Sequence, residues 1–197
     1  MYTLRTILCL VLLVPAALLA QPQEVIDAYE LNSAIQNGNV EKVKELIQNK
    51  SNVNFQYNGR NALHTACNKG NPEIAKLILD AGAEVNSISE NDAGRTALQM
   101  VAGRMDPSNV PELIELLLQN GADPDLAKNI DQYPVFETIN RGHVEALKLL
   151  LQHGASRDIK NSMGQGPLEY AEYLLNRGIS DESMKKRLET MQKVLKQ

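Results

Sequence analysis

The sequence predicts an all-α solenoid of about five stacked helix-turn-helix units. Three observations carry this reading. One pattern returns along the chain at Leu31, Leu63, Leu98, Val135 and Leu168, with gaps of 32, 35, 37 and 33 residues, and self-similarity at a fixed period of this size marks a repeat architecture. Within a copy the apolar residues recur at helical spacing: Leu63, Ala66 and Cys67 share one face, as do Ile74, Leu77 and Ile78. Six Tyr, two Phe and no Trp occur in 197 residues, so the core must be built from Leu, Ile, Val and Ala. A composition 43% hydrophobic and 22% charged belongs to a folded globular chain.

Taken in order, residues 1–20 differ from the rest. Arg5 supplies a short positive start, Ile7 to Val14 an apolar stretch, and Pro15 to Ala20 lead to a small residue before Gln21, the form of a secretory signal peptide cleaved after Ala20. The apolar run from Thr6 to Ala20 is 15 residues long, short of the ~20 that a spanning helix needs. Leu18 stands at the minus-three position where a smaller residue is usual, and Cys9 lacks the preceding small residues of a lipid-attachment site. Cleavage leaves Cys67 as the sole thiol, which excludes an intramolecular disulfide. It also leaves 19 basic against 24 acidic residues, a net charge of −5, which argues against nucleic acid or an anionic membrane surface as partner.

Residues 21–197 then read as a single repeat domain, with units of about 24–55, 56–87, 88–125, 126–158 and 159–197. In the first, Leu31 and Ala34 precede Gly38-Asn39-Val40-Glu41, and Lys50 replaces the turn glycine. The second is the clearest: Gly59-Arg60-Asn61-Ala62-Leu63-His64-Thr65-Ala66-Cys67, then Gly70-Asn71-Pro72-Glu73, closing on Gly82-Ala83-Glu84-Val85-Asn86. The third pairs Thr96-Ala97-Leu98 with Leu116-Leu117-Leu118 and Gly121-Ala122-Asp123; the fourth pairs Pro134-Val135 with Gly142-His143-Val144-Glu145 and Gly154-Ala155. Gly166-Pro167-Leu168 opens the last, whose charged second helix, Glu182 to Lys196, suits a cap with a polar outer face. Ala34, Ala66, Ala102 and Ala171 permit close helix approach, and Gly82, Gly121 and Gly154 stand where a helix must stop in a left-handed turn.

The second unit resembles the ankyrin pattern, with Leu63-His64 and Ala66 matching the T-P-L-H-x-A signature and Gly82-Ala83 to Asn86 matching the terminal G-A-x-x-N. The resemblance extends over about residues 24–197 and implies an ankyrin-repeat solenoid with finger loops, a protein-binding module without enzymatic activity. It implies a concave partner-binding surface lined by finger tips and first helices. The residues at those positions are Tyr57, Asn58 and Arg60; Asp92 and Arg95; Ile130 and Gln132; Ser162, Met163 and Gln165; and, from the first helices, Asn68, Lys69, Arg104, Asn140 and Arg141. Tyr57, Ile130 and Met163 would be apolar groups at exposed tips, the type that anchors interfaces.

Two insertions interrupt the period, and insertions in a solenoid map to loops, often on its binding face. Residues Ser87 to Ala93 lengthen one finger, and Gly103 to Pro111, including Met105, separate the helices of the third unit. His64 and Cys67, three apart on one helix, could form a nucleophilic pair, but His64 matches the signature histidine and Cys67 a buried small position. His143 and His153 have no metal-ligand spacing with His64, no phosphate-cradling glycine loop occurs, and no cofactor is expected. Asn49-Lys50-Ser51 fits a glycosylation sequon.

A signal followed by ankyrin repeats is similar to the small exported ankyrin proteins of Gram-negative bacteria. The expectation is a periplasmic module, monomeric when free, that neutralises an envelope enzyme such as a peptidoglycan peptidase as a self-protection partner. Two alternatives stand beside it: a scaffold or stability factor for an envelope or antioxidant enzyme, and a secreted effector that binds a host protein.

Overall fold

The computed structural model describes residues 22–49 and 51–197. The expected signal segment with Cys9, the turn position Lys50 and the middle of the sequon lie outside the described residues. Among the described residues ten α-helices form five hairpins: α1 (Gln23–Gln36) with α2 (Val40–Gln48), α3 (Ala62–Lys69) with α4 (Pro72–Asp80), α5 (Ala97–Ala102) with α6 (Val110–Gln119), α7 (Pro134–Arg141) with α8 (Val144–Gln152), and α9 (Pro167–Asn176) with α10 (Glu182–Leu195). First helices pack on neighbouring first helices, and second helices on second. This is the helix-turn-helix solenoid that the period predicts.

Local chemistry sets the helix ends. Asn39 and Asn71 cap α2 and α4 by accepting from Lys42 N and Ile74 N, and Pro72 occupies the first turn of α4, where a missing N–H costs nothing. Asn61 with His64, and Thr96 with Gln99, close reciprocal capping boxes on α3 and α5. The second helices stop at Gly82, Gly121 and Gly154, at φ +90°, +85° and +90°, where a side chain would be strained.

Stacking buries what one hairpin cannot. Leu31, Leu63 and Leu98 are at most 1% exposed, and Ala34, Ala66, Ala102 and Ala171 are all buried. One apolar cluster runs from α1 to α6 and takes in Ala146 and Leu150 of α8; a second joins α7 to α10 through Phe136, Ile139, Leu147, Leu188 and Met191. Each fully buried Leu or Ile contributes about 1.5–3 kcal/mol of transfer free energy.

A polar ladder ties the turns. Asn54 Nδ2 donates to Gly82 O (3.1 Å) while Asn54 Oδ1 accepts from Glu84 N (2.8 Å). One unit on, Asn86 Nδ2 donates to Gly121 O (3.0 Å) and its Oδ1 accepts from Asp123 N (2.9 Å). At the third joint the matching residue is Asp125, whose carboxylate accepts from Ser156 N at 3.0 and 3.1 Å and has no proton to donate.

Candidate protein-binding face

The fingers stand at the N-terminal ends of the first helices. The first finger closes on itself through a Tyr57–Arg60 bridge. The second, lengthened by residues 87–93, folds over it: Glu90 N donates to Gly59 O (2.9 Å), Gln56 Nε2 to Ile88 O (2.9 Å), and Asn91 Nδ2 to Asn58 O. Asn58, Asp92 and Ala93 adopt left-handed backbone angles there, at φ 52°, 54° and 59°, a geometry that Asn and Asp tolerate better than most residues.

Arg60 and Asp92 join the two fingers as a bidentate ion pair. The Arg60 guanidinium, chiefly by hydrogen bonding, holds the Asp92 carboxyl below the usual carboxylate range. On one side of this pair lies a cavity of about 320 Å³ between the first two hairpins, lined by Asn32, Gln36, Tyr57, Asn58, Thr65 and Asn91. On the other lies a second of about 320 Å³, lined by Asn68, Arg95, Met100, Gly103, Arg104 and Met105. Arg60 and Asp92 border both, so the two form one groove with a charged sill. A third hollow of about 260 Å³ opens further along, among Asp131, Phe136, Asn140, Ser162, Met163 and Tyr170.

Most residues expected on the binding surface line these hollows, but several serve the fold as well. Asn58, Asn68, Met105, Ile130, Asn140 and Met163 are exposed, with Met105 at 80%, Ile130 at 51% and Met163 at 53%. Tyr57 is not a free apolar tip: it is half-buried, its ring edge-on to Tyr29 with centroids 5.7 Å apart. Arg95 pairs with Glu137, a nearly buried carboxylate on α7. Arg104 does not belong to α5. It follows the helix-ending Gly103, and its guanidinium crosses to α3, where it donates to the carbonyls of Cys67 and Asn68 with only 13% of the side chain exposed. Arg141 likewise donates from Nε to Gly103 O (2.9 Å).

Lys69 faces away from the groove, into a separate cleft of about 770 Å³ between α4 and α6. Gln132 is half-buried: its carbonyl accepts from Gln99 Nε2 (2.7 Å), which ties the third finger to α5. Gln165 closes the fourth finger, its carbonyl accepting from Asn161 N (3.0 Å). The sequence pattern missed Asn32, Gln36, Thr65, Asn91, Met100 and Tyr170. Thr65, Met100 and Tyr170 stand two residues after the leucine position of their units, a register that would have found them.

The Cys67 thiol and the His64 and His143 imidazoles are committed to structure. Cys67 is fully buried, and burial pushes its pKa up to about 12, so it stays protonated and inert. His64 accepts from Asn61 N at Nδ1 (3.3 Å) and donates from Nε2 to Ser87 O (3.0 Å), a neutral tautomer that pins the long finger to α3. Burial lowers its pKa. His143 stands at the start of α8 and donates to Arg104 O (2.9 Å), its pKa also lowered chiefly by burial. Among the described residues no three His, Cys, Asp or Glu side chains group as metal ligands, and no helix is long and apolar enough to cross a membrane. What remains is a solvated groove of amides, paired charges and isolated apolar tips, suited to recognising another surface.

The chain matches the family model for ankyrin repeats (3 copies) over residues 31–128 and 105–180. Among curated proteins it is 33% identical over 123 residues to the tyrosine-protein kinase HTK16 of Hydra vulgaris, 59% of this chain and 16% of that one. It is 32% identical over 118 residues to the ankyrin repeat and KH domain-containing protein mask-1 of Caenorhabditis elegans (59% and 4%). It is 30% identical over 116 residues to the ankyrin repeat, SAM and basic leucine zipper domain-containing protein 1 of Ovis aries (58% and 24%). The chain spans a quarter or less of the length of these relatives. Its ankyrin repeats indicate a protein–protein interaction module. With the helical hairpins, the capped first helices and the glycine stops all in the expected register, the chain belongs to the ankyrin-repeat family.

Proposed function

We propose that the chain is an exported binding module that seats an envelope enzyme, such as a peptidoglycan peptidase, on its finger face and holds it inactive in the cell that makes it. The observation that carries the binding reading is the open groove spanning three successive hairpins, with the Arg60–Asp92 pair as its sill, Met105 exposed on its wall, and Ile130 and Met163 exposed on the fingers that follow. Isolated exposed apolar groups around polar, hydrogen-bonding walls are the composition of a specific, reversible interface. Export rests on the signal-like form of residues 1–20. On this reading the module meets envelope enzymes where they act.

The test has two arms. Fractionation of the producing cells places the chain in the periplasm; recovery from the medium favours a secreted effector and overturns the self-protection role. Periplasmic extract is then passed over the immobilised chain, and the captured protein is assayed on peptidoglycan with and without added chain. Loss of hydrolysis on addition supports inhibition. Unchanged activity with a raised melting temperature of the captured enzyme replaces inhibition with a stabilising scaffold.

A further inference from the structure

The arginines of this face fall into two groups. Arg60 and Arg95 are each closed by a carboxylate of a neighbouring element, Asp92 and Glu137. Arg104, Arg141 and Arg187 are not. They gather at the opposite edge, where the first helices end: Arg104 lies over Gly70, Arg141 on the Gly103 carbonyl, and Arg187 over Gly142. Arg104 meets one carboxylate, Asp106, at 3.6 Å, and that side chain is 61% exposed. Neither Arg141 nor Arg187 takes part in any ion pair among the described residues.

Their hydrogen bonds are equally incomplete. Arg141 Nη1 rests on the thioether sulfur of exposed Met105, a weak acceptor. Arg187 donates only from Nε to Ser183 O of its own helix, at a long 3.4 Å. The Nε of Arg104 is buried without a partner. His143 lies among all three, and their like charge adds to burial in lowering its pKa. Capping of helix C-termini by cations accounts for the Nη1 of Arg104 and the Nε of Arg141. It leaves the outer forks of Arg141 and Arg187 unused, and a guanidinium fork matches a carboxylate.

We propose that Arg104, Arg141 and Arg187 form a carboxylate-binding subsite at the groove edge, and that the partner presents an acidic segment to it. This rests on the protein-binding reading above and adds the chemistry of the partner. A carboxylate would displace the Met105 sulfur from Arg141 and bridge to Arg187. An acidic protein segment fits better than a nucleic acid. A chain of net charge −4 repels a long phosphate backbone, whereas a few carboxylates engage only the local cluster.

The full chain is titrated into fluorescein-labelled hexaglutamate in low salt, and anisotropy is read. Saturable binding is expected, weakened about tenfold or more in R141Q/R187Q and on raising salt to about 0.2 M. It should be unaffected by K76Q/K148Q on the second helices. Because Arg187 makes no hydrogen bond or ion pair beyond its own helix among the described residues, R187Q alone must weaken binding at unchanged melting temperature. The His143 imidazole, followed by NMR, should titrate at higher pH with the peptide present. Binding unchanged in R187Q and in R141Q/R187Q, or equal binding of hexaglutamine, overturns the subsite. So does an oligothymidylate bound as tightly with the same arginine dependence, which assigns the cluster to nucleic acid. If hexaglutamate fails while a partner protein is still captured through the finger tips, the acidic subsite falls and the binding module stands.

Discussion

The third joint of the polar ladder is chemically incomplete, and completing it should stabilise the chain. Asn54 and Asn86 each donate to a turn carbonyl and accept from a turn amide of the next unit; Asp125 only accepts. Asp125→Asn keeps the acceptor for Ser156 N and supplies an amide proton in the register that reaches the turn glycine carbonyl at the other joints. One such bond contributes about 0.5–1.5 kcal/mol net, or roughly 2–4 °C in melting temperature per kcal/mol for a chain of this size.

The pH dependence gives the prediction its sign. Burial, reinforced by Asp123, raises the Asp125 pKa above its ordinary value, so the native chain takes up this proton before the unfolded chain does. The contribution of Asp125 to wild-type stability therefore recovers as pH falls from 7 through the raised pKa, and the advantage of Asp125→Asn narrows. Urea melts at pH 7 and near pH 4 measure both quantities. The reciprocal change Asn86→Asp removes the donor to Gly121 O and should cost about 1–2 kcal/mol at pH 7. If Asp125→Asn is no more stable than wild type at pH 7, or its advantage does not shrink with pH, the ladder is not what holds the turns.

Three further outcomes follow from buried groups. His64→Ala removes the ring that closes the α3 capping box and holds Ser87 O; a loss of about 2–4 kcal/mol in urea unfolding is expected, and a loss under about 0.5 kcal/mol would falsify that role. His64 and His143 are both held neutral by burial, so the unfolded chain binds their protons first. Stability should fall as pH drops below about 6.5, the unfolded value, and less steeply in His143→Gln; a flat profile from pH 7 to 5 contradicts it. Gly70→Ala places a methyl against the Arg104 guanidinium at φ +73° and should cost about 1–3 kcal/mol. Part of that cost should be recovered in Gly70→Ala/Arg104→Ala, which a double-mutant cycle by thermal melts resolves.

The sequence carried what repeats. The Leu31, Leu63 and Leu98 positions, the small residues such as Ala66, and the stops at Gly82, Gly121 and Gly154 each follow from one hairpin's own needs, so one copy suffices to read them. What it did not carry lies between copies. The Arg60–Asp92 pair joins residues 32 apart, Arg95–Glu137 joins residues 42 apart, and Arg104 reaches back to Cys67 and Asn68. These pairings depend on the offset between stacked units, which the two insertions change locally. For the same reason periodicity alone makes Tyr57 a free tip, although Tyr29 of the preceding unit packs against it. Lys69 and Arg104 both follow the leucine position by six residues, yet one faces the outer cleft and the other seals the groove floor. Periodicity gives a position in a unit, and contact across the stack decides what the side chain does there.

The finger face is tested most directly by affinity for the captured partner, because Tyr57 and Arg104 serve the fold while Ile130 and Met163 do not enter the core. Isothermal titration with the wild type, with Ile130→Asp/Met163→Asp, and with Glu73→Ala/Lys76→Ala on the outer cleft separates the two surfaces. Binding at least about tenfold weaker is expected for the fingertip pair, at unchanged melting temperature, and unaltered binding for the outer-cleft pair. Equal affinity for the fingertip pair, or loss confined to the outer-cleft pair, would contradict it.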